Sequence, residues 1–478
     1  MNNILTVFRH EWRQKSKEKL LTLMFIISQG LMFTALISGW SQHMQTQEKQ
    51  AKAQEIVEHQ WNSQPDRHPH RVAHFGHFTF RPPSALSFFD IGVNNFVGNS
   101  IFIEAHRQNS ANFANDQGSG TLLRFSEMSV ANLMLTFWPL LLIAMAFGTI
   151  AAEKKGGTLK LLLSVDVSIT QLLTGKGLCY LVISLLFILP VFIATLALLL
   201  FADVTYASDT LIRVGLLAVI YIMYSVFWIA CILLVSSLTN LPRYALGILI
   251  SLWFVLVIIS PRLLADIAAE QFPQLSRNAF DREIKEQVSQ IGNSHNPDDP
   301  HFNEFKAKTL QRYGVKTVEE LPVNYRALVI QEGERISSEI YSKLYKASIL
   351  QQEKQFLFVS NFYWINPYLL FRDLSMAVSG SNIKHFYDYE LQSEQHRFNR
   401  ITKLNQIHAE HIDYHQDRGS KAHHDMWSKF QAFHYQAPNL VVSVKPFTSF
   451  WPIPLVIIGI VIFTARSRPI KRRLYAWS

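Results

Sequence analysis

Six apolar stretches, each near the length of a membrane-crossing helix, constrain this chain more than any other feature. A helix needs about 20 apolar residues to cross a hydrocarbon core. The stretches run at 20–40, 129–152, 177–202, 211–237, 244–268 and 447–465. The pattern predicts a polytopic α-helical membrane protein with six transmembrane helices. The first stretch is read as a span and not as a cleaved secretory signal. The charged region before it is long, the apolar run is long, and no small-x-small site follows Trp40.

Lysine and arginine beside the span ends set the expected orientation. Residues 1–19 carry Arg9, Arg13, Lys15, Lys17 and Lys19, and 466–478 carry Arg466, Arg468, Lys471, Arg472 and Arg473. Both ends are therefore expected in the cytoplasm, which an even number of crossings satisfies. The turn FADVTYASDT between spans three and four is acidic and is placed outside. The turn holding Arg243 is placed inside. Two long inserts, 41–128 and 269–446, then fall outside and are expected to fold together as one domain.

Composition narrows the class. The chain has 478 residues, is 49% hydrophobic and has a net charge of +9. The mean hydropathy is only +0.10, which fits spans joined to large polar parts better than a compact transporter with short loops. The basic residues gather at span ends, so topology accounts for much of the charge and nucleic acid is not an expected partner. The two cysteines, Cys179 and Cys231, lie in apolar segments. The inserts are thus not stapled by disulfides, which is compatible with a bacterial periplasm.

The first insert opens with a helix-like polar stretch, QTQEKQAKAQEIVEHQW. Short aromatic and β-branched runs broken by Pro and Gly follow, and they predict strands and turns. The second insert has apolar residues at helical spacing in EIKEQVSQI, YRALVIQEGERISSEIYSKLY and LQSEQHRFNRITKLNQIHAEHI, with a turn at HNPDDPH. The domain is expected to be mixed and mainly helical. Its stretch FLFVSNFYWINPYLLFRDLSMAV is apolar but carries Asn361, Asn366, Pro367, Arg372 and Asp373. A seventh span there would put the basic tail outside, so a buried or interfacial helix is expected.

The loop 153–176, EKKGGTLKLLLSVDVSITQLLTGK, is short and basic yet contains an apolar run. Gly156 and Gly157 can end the preceding helix, and Thr158 can cap a new one, TLKLLLS. Leu159, Leu162 and Leu163 would share one side of it, away from Lys160. Such a face needs cover, and either a protein partner or the chain's own bilayer surface supplies it. The N-terminal ILTVFRHEWRQKSKEK is amphipathic, with Ile4, Leu5, Phe8 and Trp12 on one side. It is expected to lie as a helix along the cytoplasmic face of the lipid bilayer.

In this order of elements the chain resembles a type-2 ABC exporter permease. The features are an amphipathic N-terminal helix, two spans, a glutamate, Gly-Thr-Leu, a Leu-rich run with Ser, and a later Gly-Lys. It is similar, within that family, to a bacterial subgroup with a large periplasmic insertion of unknown function. HFG…RPPSAL…GVNN…EAHRQN and the AVSGSN of the second insert carry that likeness, which covers most of the chain. The resemblance implies a multi-pass protein of the bacterial inner membrane. It implies a coupling helix, docked in a groove of an ABC ATPase subunit, at Glu153, Gly157, Thr158, Leu159, Leu162, Leu163, Ser164, Gly175 and Lys176. The proline common after the serine in the family is replaced by Val165-Asp166-Val167, which bears on the docking surface.

No Gly-x-x-x-x-Gly-Lys-Ser/Thr cradle occurs, so ATP and Mg2+ are expected in the separate ATPase subunits and not here. Two such subunits call for two permeases, identical or related. No hydrolase motif or cysteine nucleophile in a polar setting is present either. His408, His411 and His415 in HAEHIDYH have the spacing of one helix face, which can hold zinc or copper; His68, His70, His74 and His77 are close in the first insert. Solvated histidines are otherwise ordinary polar surface. The expectation is the membrane subunit of an ATP-driven exporter. Alternatives are an ATPase-driven machine whose outside domain acts on a periplasmic protein with nothing crossing the bilayer, and a membrane-anchored sensor. The sensor is disfavoured by short cytoplasmic loops.

Overall fold

The computed structural model describes residues 2–109, 111, 128–165, 167–201, 208–292, 296 and 298–466. Most of the acidic turn after span three, Asp166, part of HNPDDPH and the basic tail from 467 onward lie outside the described residues.

Helix α1, Asn2–Ser16, leads into α2, Lys19–Asn62. The polar helix expected in the first insert is the continuation of α2. At 44 residues α2 reaches about 66 Å, roughly twice the hydrocarbon thickness, so one rigid rod joins the first span to the domain. Helix α3, Pro69–Phe75, and strands β1, His77–Phe80, and β2, Ser100–Ile103, follow. The strands pair antiparallel, with His77 opposite Ile103 and Phe80 opposite Ser100.

Span α4, Val130–Lys155, ends at the loop helix α5, Thr158–Ser164. Then come spans α6, Ile169–Phe201, α7, Ser208–Leu238, and α8, Pro242–Gln271. The second insert supplies α9, Arg277–Ile291, α10, Pro300–Tyr313, α11, Tyr325–Ser360, α12, Pro367–Ser379, and α13, Ile383–His411. The sixth apolar span, Leu440–Ile460, enters through two short helical segments and continues as α14, Pro452–Arg466. Six helices are long and apolar enough to cross a membrane among the described residues.

The spans pack around Trp138, Tyr180, Phe187, Tyr221, Tyr224 and Trp228. Two polar edges in that core are paired. Trp138 Nε1 donates to Ser225 Oγ (2.8 Å), and the Tyr224 hydroxyl donates to the Leu135 carbonyl (2.7 Å), inside a π-helical turn of α4. The seventh apolar stretch is not a span. It breaks at Asn361–Trp364 and becomes α12, which is almost wholly buried and packs on α7. Asn366 caps α12 through the Tyr368 amide (3.2 Å).

The two inserts share one core. Trp61 of α2, Val72 and Ala73 of α3, and Ala105 pack against Ile401, Leu404, Ile412 and Trp427. Trp61 Nε1 donates to the Trp427 carbonyl (3.0 Å), and the Tyr389 hydroxyl of α13 donates to the Thr79 carbonyl of β1 (2.9 Å).

Candidate functional site

Where α4 leaves the bundle, the chain must turn within two residues. Gly156 and Gly157 do this, with Gly157 in the left-handed region at φ 74°. Gly157, and not Thr158, occupies the capping position of α5, and no side chain caps that helix. The Thr158 hydroxyl instead bonds to the Glu153 carboxylate. Upstream, a break in α4 leaves the Ile150 and Ala151 amides without helical partners, and Ser236 Oγ of α7 accepts both (3.0 and 3.1 Å). Lys154, rather than facing water, donates to the Ser237 and Thr239 carbonyls at the end of α7 (2.6 and 3.0 Å).

Glu153 Oε1 accepts from Lys176 Nζ of α6 (3.1 Å), and Lys176 also donates to Glu11 Oε2 of α1 (2.6 Å). The other oxygen of Glu11 accepts from the Tyr180 hydroxyl (2.7 Å) and from Thr149 Oγ1 (3.1 Å). The Glu11 and Lys176 side chains are each 4% exposed. Burial by itself pushes the Glu11 carboxyl up. The Lys176 ammonium and the hydrogen bonds from Lys176, Tyr180 and Thr149 outweigh it and hold the carboxyl below its ordinary range. Four elements, α1, α4, α5 and α6, thus meet on one chain of polar contacts.

Gly175 permits that meeting. A Cβ there would stand 2.8 Å from the Ile4 carbonyl oxygen and 2.8 Å from the Val7 side chain. Gly175 and Lys176 therefore have buried structural roles in seating α1 on α6. They do not offer a surface to a partner.

The apolar side of α5 also differs from the expectation. Leu159 is buried, and Leu162 and Leu163 are half-buried, all against Val7, Ile150, Ile169, Leu172 and Leu173 of the chain's own core. The open side carries Lys160, Ser164, Leu161 and Val165, the last two each 67% exposed. Helical phase accounts for this. Leu161 is the one leucine of LKLLLS turned away from Leu159, and Lys160 beside it draws attention from it. In α1 the inward face is Val7 and Glu11, with Ile4, Phe8 and Trp12 half-buried at its edges and Leu5 exposed. Glu11 was missed from sequence. Its one signal is that it is the only acid among Arg9, His10, Arg13, Lys15 and Lys17.

The histidine expectation needs correction as well. Helix α13 ends at His411, so His415 lies beyond it. His408 is buried, and its Nε2 bonds to Asp417 Oδ1 (2.7 Å), while His411 and His415 are exposed. The three do not converge on one point.

A cavity of ≈ 230 Å³ opens where the upper part of α2 meets the domain. Gly39, Gln42, His43, Arg81, Asn94 and Ser84 are among its lining residues. Arg81 is buried, donates to Asn94 Oδ1 (3.1 Å), and lies over the Phe386 ring.

A chain with six apolar spans, a short basic loop helix braced on an N-terminal helix, and a large helical insertion is a polytopic membrane protein. Residues 5–302 match the family model of the ABC-2 family transporter protein, and the chain belongs to that family. Residues 277–436 match a domain of unknown function, DUF3526. No curated protein matches the chain. The chain is a membrane component of an ABC transporter, and the family implies ABC ATPase subunits as partners.

Proposed function

We propose that this chain is the permease subunit of an ATP-driven exporter in a bacterial inner membrane, with both termini cytoplasmic, and that α5 is its coupling helix. The single observation that carries this is the linkage of an exposed loop helix to three other elements through Thr158, Glu153, Lys176 and Glu11. A docked ATPase that displaces α5 would move α1 and α6 with it. The docking side is Leu161, Lys160, Ser164 and Val165. Leu159, Leu162 and Leu163 hold the helix to its own core, and Glu153, Thr158 and Gly157 set its angle. A second permease, identical or related, completes the pair. The DUF3526 domain, formed with the first insert, lies in the periplasm and caps the path. The cavity at Arg81 suits the polar end of an amphipathic cargo.

One observation favours a second reading, in which the domain acts on a periplasmic protein without transported cargo. Helix α2 runs unbroken from the first span into the domain core at Trp61, so span motion reaches the domain directly.

The test is purification of the complex from its native operon with Leu161→Asp plus Val165→Asp. These exposed positions leave the permease fold intact. Loss of the co-purifying ATPase, with the permease still monodisperse, is expected. An unchanged complex and unchanged ATP hydrolysis would overturn the coupling assignment.

A further inference from the structure

The domain carries a histidine cluster that the transport reading does not use. His70 and His74 sit on α3 at a spacing of four, so both rings leave the same side of the helix. Their Nε2 atoms are 3.2 Å apart, within hydrogen-bond distance of each other. Two nitrogens bound at about 2.1 Å to one tetrahedral ion stand about 3.4 Å apart, so this pair already has the separation of shared ligands. His106 comes from the loop after β2, and its ring lies 5.4 and 5.2 Å, centre to centre, from those of His70 and His74. One ligand atom from each of the three falls within 4.8 Å of the others.

The third ring is held in a way that suits a ligand. His106 Nδ1 is 2.9 Å from Glu334 Oε1, which leaves Nε2 for an ion. Its backbone amide bonds to the same carboxylate oxygen. Glu334 is buried and is itself fixed by Arg397 Nη1 (3.0 Å), so the carboxylate cannot swing away. Arg397 in turn holds Glu394 Oε2 (2.7 Å) and the Glu104 carbonyl (3.2 Å), the latter two residues before His106. A carboxylate behind a histidine that fixes its tautomer and aim is the usual outer support of a metal ligand. His106 is also the one described non-glycine residue with positive φ, at 62°. His74 and His106 are exposed, so an ion has an entry path.

We propose that His70, His74 and His106 form a binding site for a divalent borderline ion of the zinc(II) or copper(II) class, with Glu334 as the positioning residue behind His106. The fourth position is open to water or to a carboxylate. Neutral imidazoles are required for binding. Two neighbouring clusters suit the role less. Asp417 Oδ1 already accepts from His408 (2.7 Å) and Asn324 (2.8 Å), which closes the group with His68. The Asp66, His423 and His424 group is a solvent-facing turn in which Asp66 Oδ1 takes the His424 amide (2.8 Å).

The test uses the full chain in detergent with a non-histidine affinity tag, stripped by chelator and then titrated with cobalt(II) and zinc(II). The expected result is one ion retained per chain, a visible cobalt band of low-symmetry nitrogen ligation, and zinc affinity reduced roughly 100-fold or more in His74→Gln and in His106→Asn. Asparagine tolerates the left-handed backbone at position 106, and unchanged thermal unfolding of the apo variants establishes that they are folded. No retained ion, or equal retention in both variants, would overturn the proposal. So would loss of binding in His408→Gln with binding kept in His74→Gln.

Discussion

Lys176 and Glu11 form a buried ion pair, 2.6 Å apart, between a span and a helix that crosses it near the N-terminus. The pair does not stand alone, since Glu153 draws the same ammonium toward the loop helix (3.1 Å). Removing Lys176 leaves Glu11 an uncompensated buried charge, which costs about 3–5 kcal/mol in such sites, whereas an apolar pair of like size is often neutral. Lys176→Met alone should therefore lower the thermal midpoint more than Glu11→Leu, which leaves Lys176 its contact with Glu153, and the double variant should recover most of the Lys176→Met loss. If the network also transmits motion, the recovered double variant will bind the ATPase yet hydrolyse ATP without the permease's control. Thermal unfolding and ATPase rate, measured on the same preparations, separate the two effects. Full control in the double variant would show the pair to be structural only.

Gly175→Val should separate α1 from α6. The added carbons meet the Ile4 carbonyl oxygen and Val7, neither of which can yield without moving the helix. The cost expected for such overpacking is about 1–3 kcal/mol. Faster proteolysis at the N-terminus, with the remaining spans still protected, is the observation that checks it.

His77 faces β1's interior with neither ring nitrogen partnered, beside His396 and Trp61. Burial pushes His77 down to about 3, with Arg400 and His396 adding to it. Burial with Arg400 and Lys403 pushes His396 down to about 4. The folded domain then binds fewer protons than the unfolded chain, whose histidines titrate near 6.5. Stability from these groups is complete above pH 6.5 and falls as pH drops through the range from 6.5 to about 3. His77→Leu should flatten that fall, so its gain over the parent is larger at pH 5 than at pH 8. Equal differences at both pH values in thermal unfolding would contradict the assignment.

The spans were legible because twenty apolar residues in a row have few other destinations. The rejected seventh span was legible for the converse reason, since Asn366, Arg372 and Asp373 need partners. Arg372 finds Asp373 (2.8 Å), and Tyr363 donates to the same carboxylate (2.7 Å). The loop helix was legible as an element but not in its phase. Leu162 and Leu163 look available until Val7 and Ile169, distant in sequence, are seen to cover them. Lys176 read as the end of a short basic loop, and its burial depends on Glu11, 165 positions earlier, together with Glu153. The His70, His74 and His106 cluster combines a helical spacing, which sequence can show, with a loop brought in by β-pairing, which it cannot.

Asn366 also compensates for a proline in the fifth span. Residues Phe254–Ile259 of α8 adopt the wider π-helical spacing, in which the Leu256 carbonyl would receive the amide of residue 261. Residue 261 is a proline with no amide hydrogen, and Asn366 Nδ2 donates to that carbonyl instead (2.8 Å), as well as to Ser260 Oγ (2.7 Å). Asn366→Leu should cost about 1–3 kcal/mol by leaving a buried carbonyl unmet, together with the lost cap of α12. In a Pro261→Ala background the restored amide can reach the helix carbonyls, so the same substitution should cost less. A double-mutant cycle on thermal unfolding measures the difference. A coupling energy near zero would mean that Asn366 acts only as the cap of α12.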